Sequence, residues 1–302
     1  MSDNGCVVAE TMLPVNGIEL CVETFGEPID PALLLIAGGA SSMDWWEDEF
    51  CRRLAACDRF VIRYDHRDTG RSTSFPAGAP PYSGVDLAHD ALGVLDALGV
   101  HRAHLVGIGM GGGLAQRIAV DRPHRLLSLT LIATGPDPRD RTAELTGAEC
   151  RAADDRAGAD RGPAGEAGPD WSDRRASVQR MIDAIRAMGG PFTAEEPHLR
   201  RLAERIYDRT LDMAATQNNH RCCPGGPPTR PLLGTIAVPT LVLHGTLDEV
   251  FPAAGAQALA TEIPGARLVW LEGVGHEFPP MAVWSQVIDE ITGDQARGRQ
   301  PA

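Results

Sequence analysis

The feature that most constrains the fold is a run of glycines between an apolar segment and a helix-forming segment. Residues 103–106 read Ala-His-Leu-Val, which predicts a buried strand, and residues 114–120 carry a helical pattern. Between them, glycine occupies positions 107, 109, 111, 112 and 113. A tight turn from a strand into a helix lets the helix pack back against the strand. This stretch therefore predicts one unit of a layered α/β fold.

The same alternation extends along much of the chain, after an opening β-hairpin predicted at 7–12 and 18–24. Strands that alternate with helices predict an α/β fold with a doubly wound, mostly parallel sheet. The other strands are predicted at 32–36, 60–64, 127–133, 240–244 and 267–271, and the other helices at 46–56, 85–98, 253–263 and 283–291.

The alternation stops after residue 135. The segment that follows is polar, rich in Arg and irregular, and it predicts a helical cap with amphipathic helices at 178–188 and 199–213. Residues 147–173 offer little to bury and predict a flexible loop. We therefore predict an α/β core of residues 1–135 and 233–292, an inserted cap of residues 136–232 and a disordered tail of residues 293–302.

Composition excludes several classes of partner and cofactor. A net charge of −13 disfavours nucleic acids and anionic membranes. No apolar run reaches the roughly 18 residues of a membrane span, and the first ten residues do not form a signal peptide, which predicts a cytoplasmic protein. The chain contains no Lys, which excludes a Schiff base, and its 7 Cys form no C-x-x-C pair. We expect no cofactor and no metal, and the sequence leaves the oligomeric state open.

Three chemistry-bearing positions follow the ends of predicted strands. The glycine turn has Gly109 at its centre, Asp248 follows the strand that ends at 244, and His276 follows the strand that ends at 271. Ligands of open α/β sheets bind outside the carboxyl ends of the strands, so these positions are expected to share one site. Their order along the chain is that of a nucleophile, an acid and a histidine, with glycine at the centre of a G-x-S-x-G turn.

Two further runs indicate a family. Residues 31–39 read PALLLIAGG and residues 63–73 read RYDHRDTGRST. With the turn and the order above, they make the chain resemble the α/β-hydrolase superfamily over about residues 15–292. More narrowly, the chain resembles the aclacinomycin methylesterase-like branch of actinobacterial polyketide tailoring enzymes.

The resemblance implies roles for five positions. It implies an oxyanion hole formed by the backbone N–H groups of Gly39 and Met110, and an acid and base at Asp248 and His276. The chain departs from the family at the nucleophile position, where Gly109 replaces Ser.

A glycine offers no side-chain atom to acylate, which excludes an acyl-enzyme at position 109. A base and an oxyanion hole can still act on a carbonyl without a covalent intermediate. The reactions left open are cyclisation, addition, C–C cleavage or decarboxylation, and water-mediated hydrolysis of a small, carbonyl-rich, polyketide-type substrate. The alternatives are a non-catalytic small-molecule binding protein and a methylesterase-type hydrolase in which Gly109 is an engineered change.

Residues near the loop that follows the strand at 32–36 and contains Gly39, here called the oxyanion loop, are further candidates for substrate contact. Trp45 and Trp46 are either pocket-wall aromatics or core residues at a helix start. Ser41 is close to the same loop, where loop hydrogen bonding is its other interpretation. Asp137, after the strand at 127–133, is an alternative acid.

Two motif-like patterns have structural interpretations. The spacing of His66, Arg67 and Asp68 is weak evidence for a metal, and we expect structural hydrogen bonds and ion pairs there. The glycines at 107, 109 and 112 match the dinucleotide pattern G-x-G-x-x-G. No acidic residue ends the next strand, which argues against a dinucleotide site.

Overall fold

A computed structural model describes residues 10–136 and 169–297 of the chain. These residues form an eight-stranded sheet of order β1-β2-β4-β3-β5-β6-β7-β8. β2 is antiparallel to both of its neighbours, and all the other pairs are parallel, which confirms the predicted fold class. The strands are β1 (Thr11–Val15), β2 (Ile18–Phe25), β3 (Ala32–Ile36), β4 (Phe60–Tyr64), β5 (Ala103–Ile108), β6 (Leu126–Ile132), β7 (Thr240–Gly245) and β8 (Arg267–Leu271).

Helices cover both faces of the sheet. Every residue of β3, β4 and β5 is buried, as expected of parallel strands with helices on both sides. One face packs against α2, α3 and α7, and the other against α1 and α8. These helices are α1 (Asp48–Ala55), α2 (Gly84–Ala97), α3 (Met110–Asp121), α7 (Ala253–Glu262) and α8 (Trp284–Arg297).

Three further helices, numbered α4 to α6, lie within the predicted cap. They are α4 (Arg174–Met188), α5 (Glu196–Arg209) and α6 (Met213–Cys222). Their buried apolar residues form a cluster separate from the two at the sheet faces, namely Val178, Met181, Ile182, Leu199, Ala203, Ile206 and Met213. The division into core and cap remains a prediction. Residues 147–168 of the predicted loop, and Asp137, lie outside the described residues.

Three of the predicted boundaries that differ from the structure are informative. The first strand runs over Thr11–Val15 rather than 7–12, and it tolerates Pro14 because β1 is an edge strand. The helix predicted at 199–213 ends at Arg209, and Met213 begins the next helix, which Asp212 caps by accepting a hydrogen bond from the Ala215 N–H at 2.9 Å. The last helix extends to Arg297, so residues 293–297 of the predicted tail are helical. Gly293 weakens this helix without ending it.

Among the described residues, no helix is long and apolar enough to cross a membrane.

Candidate active site

The glycine turn after β5 has the backbone of a nucleophile elbow. Gly109 has φ 53° and ψ −117°, and α3 begins at the next residue. This conformation matches the first central position of a type II′ turn, which favours glycine strongly. Apart from the adjacent residues of the chain, the atom nearest to a Cβ on Gly109 would be the Ala133 carbonyl oxygen, at 4.0 Å. The turn therefore leaves open space where a nucleophilic side chain would begin.

The glycines beside it are required by close packing. A Cβ on Gly107 would lie 2.3 Å from the Gly111 carbonyl oxygen, and one on Gly111 would lie 2.3 Å from the Ile36 carbonyl oxygen. Both distances are far below van der Waals contact. These positions hold α3 against the ends of β3 and β5, so their glycines serve the turn itself.

Hydrogen bonds fix the apex of the turn to the end of β6. The Gly109 N–H donates to the Ile132 carbonyl at 3.0 Å. The Gly109 carbonyl accepts from the Thr134 hydroxyl at 2.9 Å and from the Gly112 N–H at 3.1 Å. The position of the apex therefore does not depend on a side chain at residue 109.

The acid and the histidine lie beyond the next strands along the sheet edge. Asp248 follows β7, His276 follows β8, and Nδ1 of His276 is 2.9 Å from Oδ2 of Asp248. The other Asp248 oxygen accepts the N–H groups of Val250 and Phe251, at 2.9 and 2.8 Å. The structure thus places the two side chains in direct contact, although their catalytic roles remain predictions.

The environment of Asp248 favours its ionised form. Burial by itself raises the pKa of this carboxyl, but the hydrogen bond and charge of His276 and the Phe251 N–H bring the pKa below its usual value. An ionised Asp248 accepts the proton of Nδ1, which leaves Nε2 of His276 as the proton acceptor of the ring. The ring of Phe251 packs against the imidazole with centroids 5.3 Å apart.

The two residues predicted to form the oxyanion hole lie close together between β3 and α3. A Cβ on Gly39 would lie 3.7 Å from Sδ of Met110, so the two residues are adjacent. Met110 is the first residue of α3, where the N–H has no acceptor within its own helix. The helix N-terminus adds partial positive charge at this place. The arrangement suits the oxyanion role that the resemblance implies, and that role remains a prediction.

α4 and the residues after it contact the loop that follows β8 and carries His276, here called the histidine loop. The sequence did not indicate this contact. The His276 N–H donates to the carbonyl of Met188, the last residue of α4, at 2.7 Å. The Glu277 carboxylate accepts the Gly190 N–H at 3.0 Å and the Thr193 hydroxyl at 2.9 Å. A Cβ on Gly275 would lie 2.2 Å from the Met188 carbonyl oxygen, so glycine is required for this approach.

The three residues predicted to contact substrate beside the oxyanion loop differ in their burial and in their contacts. Trp46 is 1% exposed and packs between Phe50 and Phe278, so it is a core residue and not a pocket wall. Trp45 is half-buried and stacks on Phe278 with ring centroids 5.6 Å apart. Phe278 is two residues after His276, so Trp45 remains a candidate for substrate contact. Ser41 is half-buried and its hydroxyl donates to the Gly39 carbonyl at 3.2 Å, which is a bond within the loop.

The segment after β4 makes structural contacts. Arg67 forms a two-pronged ion pair with buried Asp90, and the Asp68 carboxylate accepts from Tyr82 and Asn219. Burial lowers the pKa of His66 to about 4, so this imidazole is neutral near pH 7. No group of three or more His, Cys, Asp or Glu side chains that could hold a metal occurs in residues 10–136 and 169–297.

Comparison with known proteins identifies relatives along nearly the whole chain. The profile of the alpha/beta hydrolase fold family matches residues 31–279. Rhodomycin D methylesterase DauP of Streptomyces sp. (strain C5) is 37% identical over 281 residues, covering 89% of this chain and 92% of the relative. A putative carbamate hydrolase, RutD of Pseudomonas savastanoi pv. phaseolicola, is 31% identical over 258 residues, covering 82% of this chain and 86% of the relative. The similarity to a Streptomyces methylesterase confirms the resemblance to the methylesterase-like branch.

Solved structures share the fold at lower sequence identity. The enol-lactonase of Burkholderia xenovorans LB400 superposes with a TM-score of 0.70 at 23% identity, covering 95% of this chain and 100% of that chain. The meta-cleavage product hydrolase of Pseudomonas fluorescens IP01 gives a TM-score of 0.70 at 19% identity, covering 97% of this chain and 99% of that chain.

Proposed function

The chain belongs to the alpha/beta hydrolase fold family, and on that premise we propose that it is a polyketide-tailoring enzyme that works without an acyl-enzyme. The observation that carries the proposal is that an elbow with glycine at its apex follows one strand of the sheet, while an intact Asp248–His276 pair follows two other strands of the same sheet. A site that had lost its nucleophile and its activity together would have no need for a histidine oriented by Asp248. The retained pair supports a reaction in which proton transfer is still required.

The proposed chemistry begins with proton transfer to Nε2 of His276. The proton comes either from a water molecule in the space beside Gly109 or from a carbon next to a substrate carbonyl. Negative charge then develops on the carbonyl oxygen, where the N–H groups of Gly39 and Met110 would stabilise it. Asp248 stabilises the imidazolium that forms, through the bond at 2.9 Å.

The rate enhancements available from a general base and an oxyanion hole favour substrates whose reaction needs no further catalytic contribution. A positioned general base contributes about 10²–10⁴-fold, and a site that has lost a triad member keeps roughly 10³–10⁴-fold over water. Enolisation of an activated polyketide carbonyl, followed by cyclisation or addition, is within this range. So is loss of carbon dioxide from a β-keto acid, in which the electron pair of the broken C–C bond forms the enolate that the same N–H groups would stabilise before its carbon is protonated. Direct hydrolysis of an ester by water is the slower possibility, and it requires the water to be held where a serine hydroxyl would lie.

The test is turnover of anthracycline-type intermediates by the intact protein and by two variants. Rhodomycin D and related methyl esters and β-keto acids are incubated in H₂¹⁸O, and products are identified by mass spectrometry. We expect turnover that falls at least about 100-fold in His276→Ala and in Asp248→Asn, with no covalent adduct from a fluorophosphonate at residue 109. Turnover that is unchanged in His276→Ala refutes the proposed base. Tight binding without turnover would instead identify a small-molecule binding protein.

A further inference from the structure

The loop that follows β3 is held at both ends by imidazole rings. The Ala40 N–H donates to Nδ1 of His220 at 3.0 Å, and the Ala37 carbonyl accepts from Nε2 of His66 at 3.1 Å. His66 follows β4 in the sheet, whereas His220 lies on α6 and comes from 180 residues further along the chain. The two rings contact each other edge to face, with centroids 5.7 Å apart. Gly39 lies between the two anchored positions.

The conformation of Ala40 explains why an anchor is useful here. Ala40 has φ 56°, in the left-handed region, which costs an alanine about 1–2 kcal/mol. A hydrogen bond to its N–H favours this conformation over the extended alternatives. The peptide units on either side of Gly39 are rigid planes that share one Cα. The Gly39 N–H belongs to the peptide unit between the one anchored at the Ala37 carbonyl and the one anchored at the Ala40 N–H. Fixing both neighbouring units therefore restricts the direction in which the Gly39 N–H can point.

Both nitrogens of His220 are used, and this sets its tautomer. Nδ1 accepts from the Ala40 N–H, so the ring proton is on Nε2, which donates to the Arg67 carbonyl at 2.9 Å. The His220 side chain is buried, with 4% of the residue exposed. It thereby links the oxyanion loop to the segment after β4 through a single ring.

The helix that carries His220 is itself fixed to the core. Asn219 Nδ2 donates to the Asp68 carboxylate at 2.9 Å, and the Thr216 hydroxyl donates to the Asp68 carbonyl. Asp212 caps the N-terminus of α6. These contacts restrict movement of α6 and so hold the His220 imidazole against the loop at Ala40.

We propose that His220 is a positioning residue for the oxyanion hole, through which the cap orients the Gly39 N–H by holding that of Ala40. The functional part of this inference rests on the proposed role of Gly39, whereas the contact itself does not. His220 touches no reacting atom, and it acts through the backbone of its neighbour. The geometry accordingly links placement of α6 to completion of the hole.

Two near-isosteric variants, His220→Asn and His220→Gln, test the two hydrogen bonds of the imidazole separately. Asn at position 220 can present its side-chain oxygen where Nδ1 accepts from Ala40, whereas Gln can present its amide where Nε2 donates to Arg67. We expect the Ala40 amide to exchange with D₂O at least tenfold faster in His220→Gln than in the unmodified protein, and at nearly the original rate in His220→Asn. Asn218→Ala, which alters an exposed side chain of α6 that donates to the Ala214 carbonyl of the same helix at 2.8 Å, is the control and should retain slow exchange. Equal protection in His220→Gln and the unmodified protein overturns the proposal.

Two other measurements complete the test. With a turned-over substrate, kcat should fall about tenfold or more in His220→Gln at nearly constant KM and recover in His220→Asn, and an unchanged kcat in His220→Gln contradicts the positioning role. Amide exchange needs no substrate, so failure of the proposed reaction and failure of this contact are separate results. Imidazole ¹⁵N NMR of the unmodified protein should show His220 protonated on Nε2. Protonation on Nδ1 instead overturns the proposal whether or not any variant folds.

Discussion

Replacing Gly109 by Ser tests the elbow directly, because the structure predicts two effects of opposite sign. The space is open, because the atom nearest to a new Cβ, outside the adjacent residues, is 4.0 Å away, so no clash is expected. The conformation at φ 53° and ψ −117° is unfavourable for any residue with a Cβ, at a cost of about 1–3 kcal/mol. The smaller entropy of the unfolded serine chain offsets about 0.4–1 kcal/mol of this. We expect Gly109→Ser to lower the free energy of unfolding by about 0.5–2.5 kcal/mol.

The assay is thermal unfolding followed by circular dichroism, with Gly109→Ala as the matched control. The unfolding entropy of a chain of 302 residues is about 0.6 kcal/mol/K, so Tm should fall by about 1 to 4 °C in both variants. Only the serine variant should then hydrolyse 4-nitrophenyl acetate with a burst of nitrophenolate, because only it can be acylated next to His276. Variants as stable as the original chain would refute the strained elbow. A folded Gly109→Ser variant without a burst would show that His276 does not reach residue 109.

Three other substitutions test the surroundings of the site. The pKa of Asp248 is lowered in the folded chain, so its contribution to stability is present above the unfolded pKa of about 3.9 and is lost as pH falls through the lower folded pKa. Asp248→Asn should therefore flatten the dependence of the unfolding free energy on pH below about 4, as measured by urea titration. Glu277→Ala should cost about 1–3 kcal/mol in the same titration and increase amide exchange at Gly190, and unchanged exchange would contradict the contact with α4. Ala40→Gly should raise Tm slightly, by about 1 °C, because it relieves a left-handed alanine, and a lower Tm would show that the loop conformation differs.

The sheet and its edge were predictable because their signals are local. β3, β4 and β8 match the sequence predictions to the residue, since each is a short apolar run bounded by turn residues. The positions of Asp248 and His276 followed from the ends of these strands. Their contact at 2.9 Å needed the structure, because strand order along the edge determines which loops meet.

The cap contacts were not predictable for a physical reason. α6 packs on the core through Thr216, Asn219 and His220, whose buried polar atoms leave no apolar periodicity in the sequence. The Glu277 contact joins residues more than 80 positions apart. Hydrogen bonds between distant polar residues carry no spacing pattern, so only the folded arrangement identifies them. Trp46 shows the converse case, because the sequence left a pocket wall and the core open for this residue and only the structure places it in the core.

α4 and α6 each hold a loop of the candidate site and α5 is paired with buried carboxylates, and these contacts bear on the proposed mechanism without a covalent intermediate. α4 binds the histidine loop at Met188, α6 binds the oxyanion loop through His220, and Arg209 of α5 pairs with buried Asp44 and Asp65. In a covalent mechanism a bond to the enzyme holds the reacting acyl group between steps. Without that bond, the alignment of substrate, base and donors must come from the protein alone. On the proposed mechanism, the contacts of α4 with the loop of His276 and of α6 with the loop of Gly39 would supply such alignment, so substitutions at these contacts should lower kcat as well as alter substrate choice.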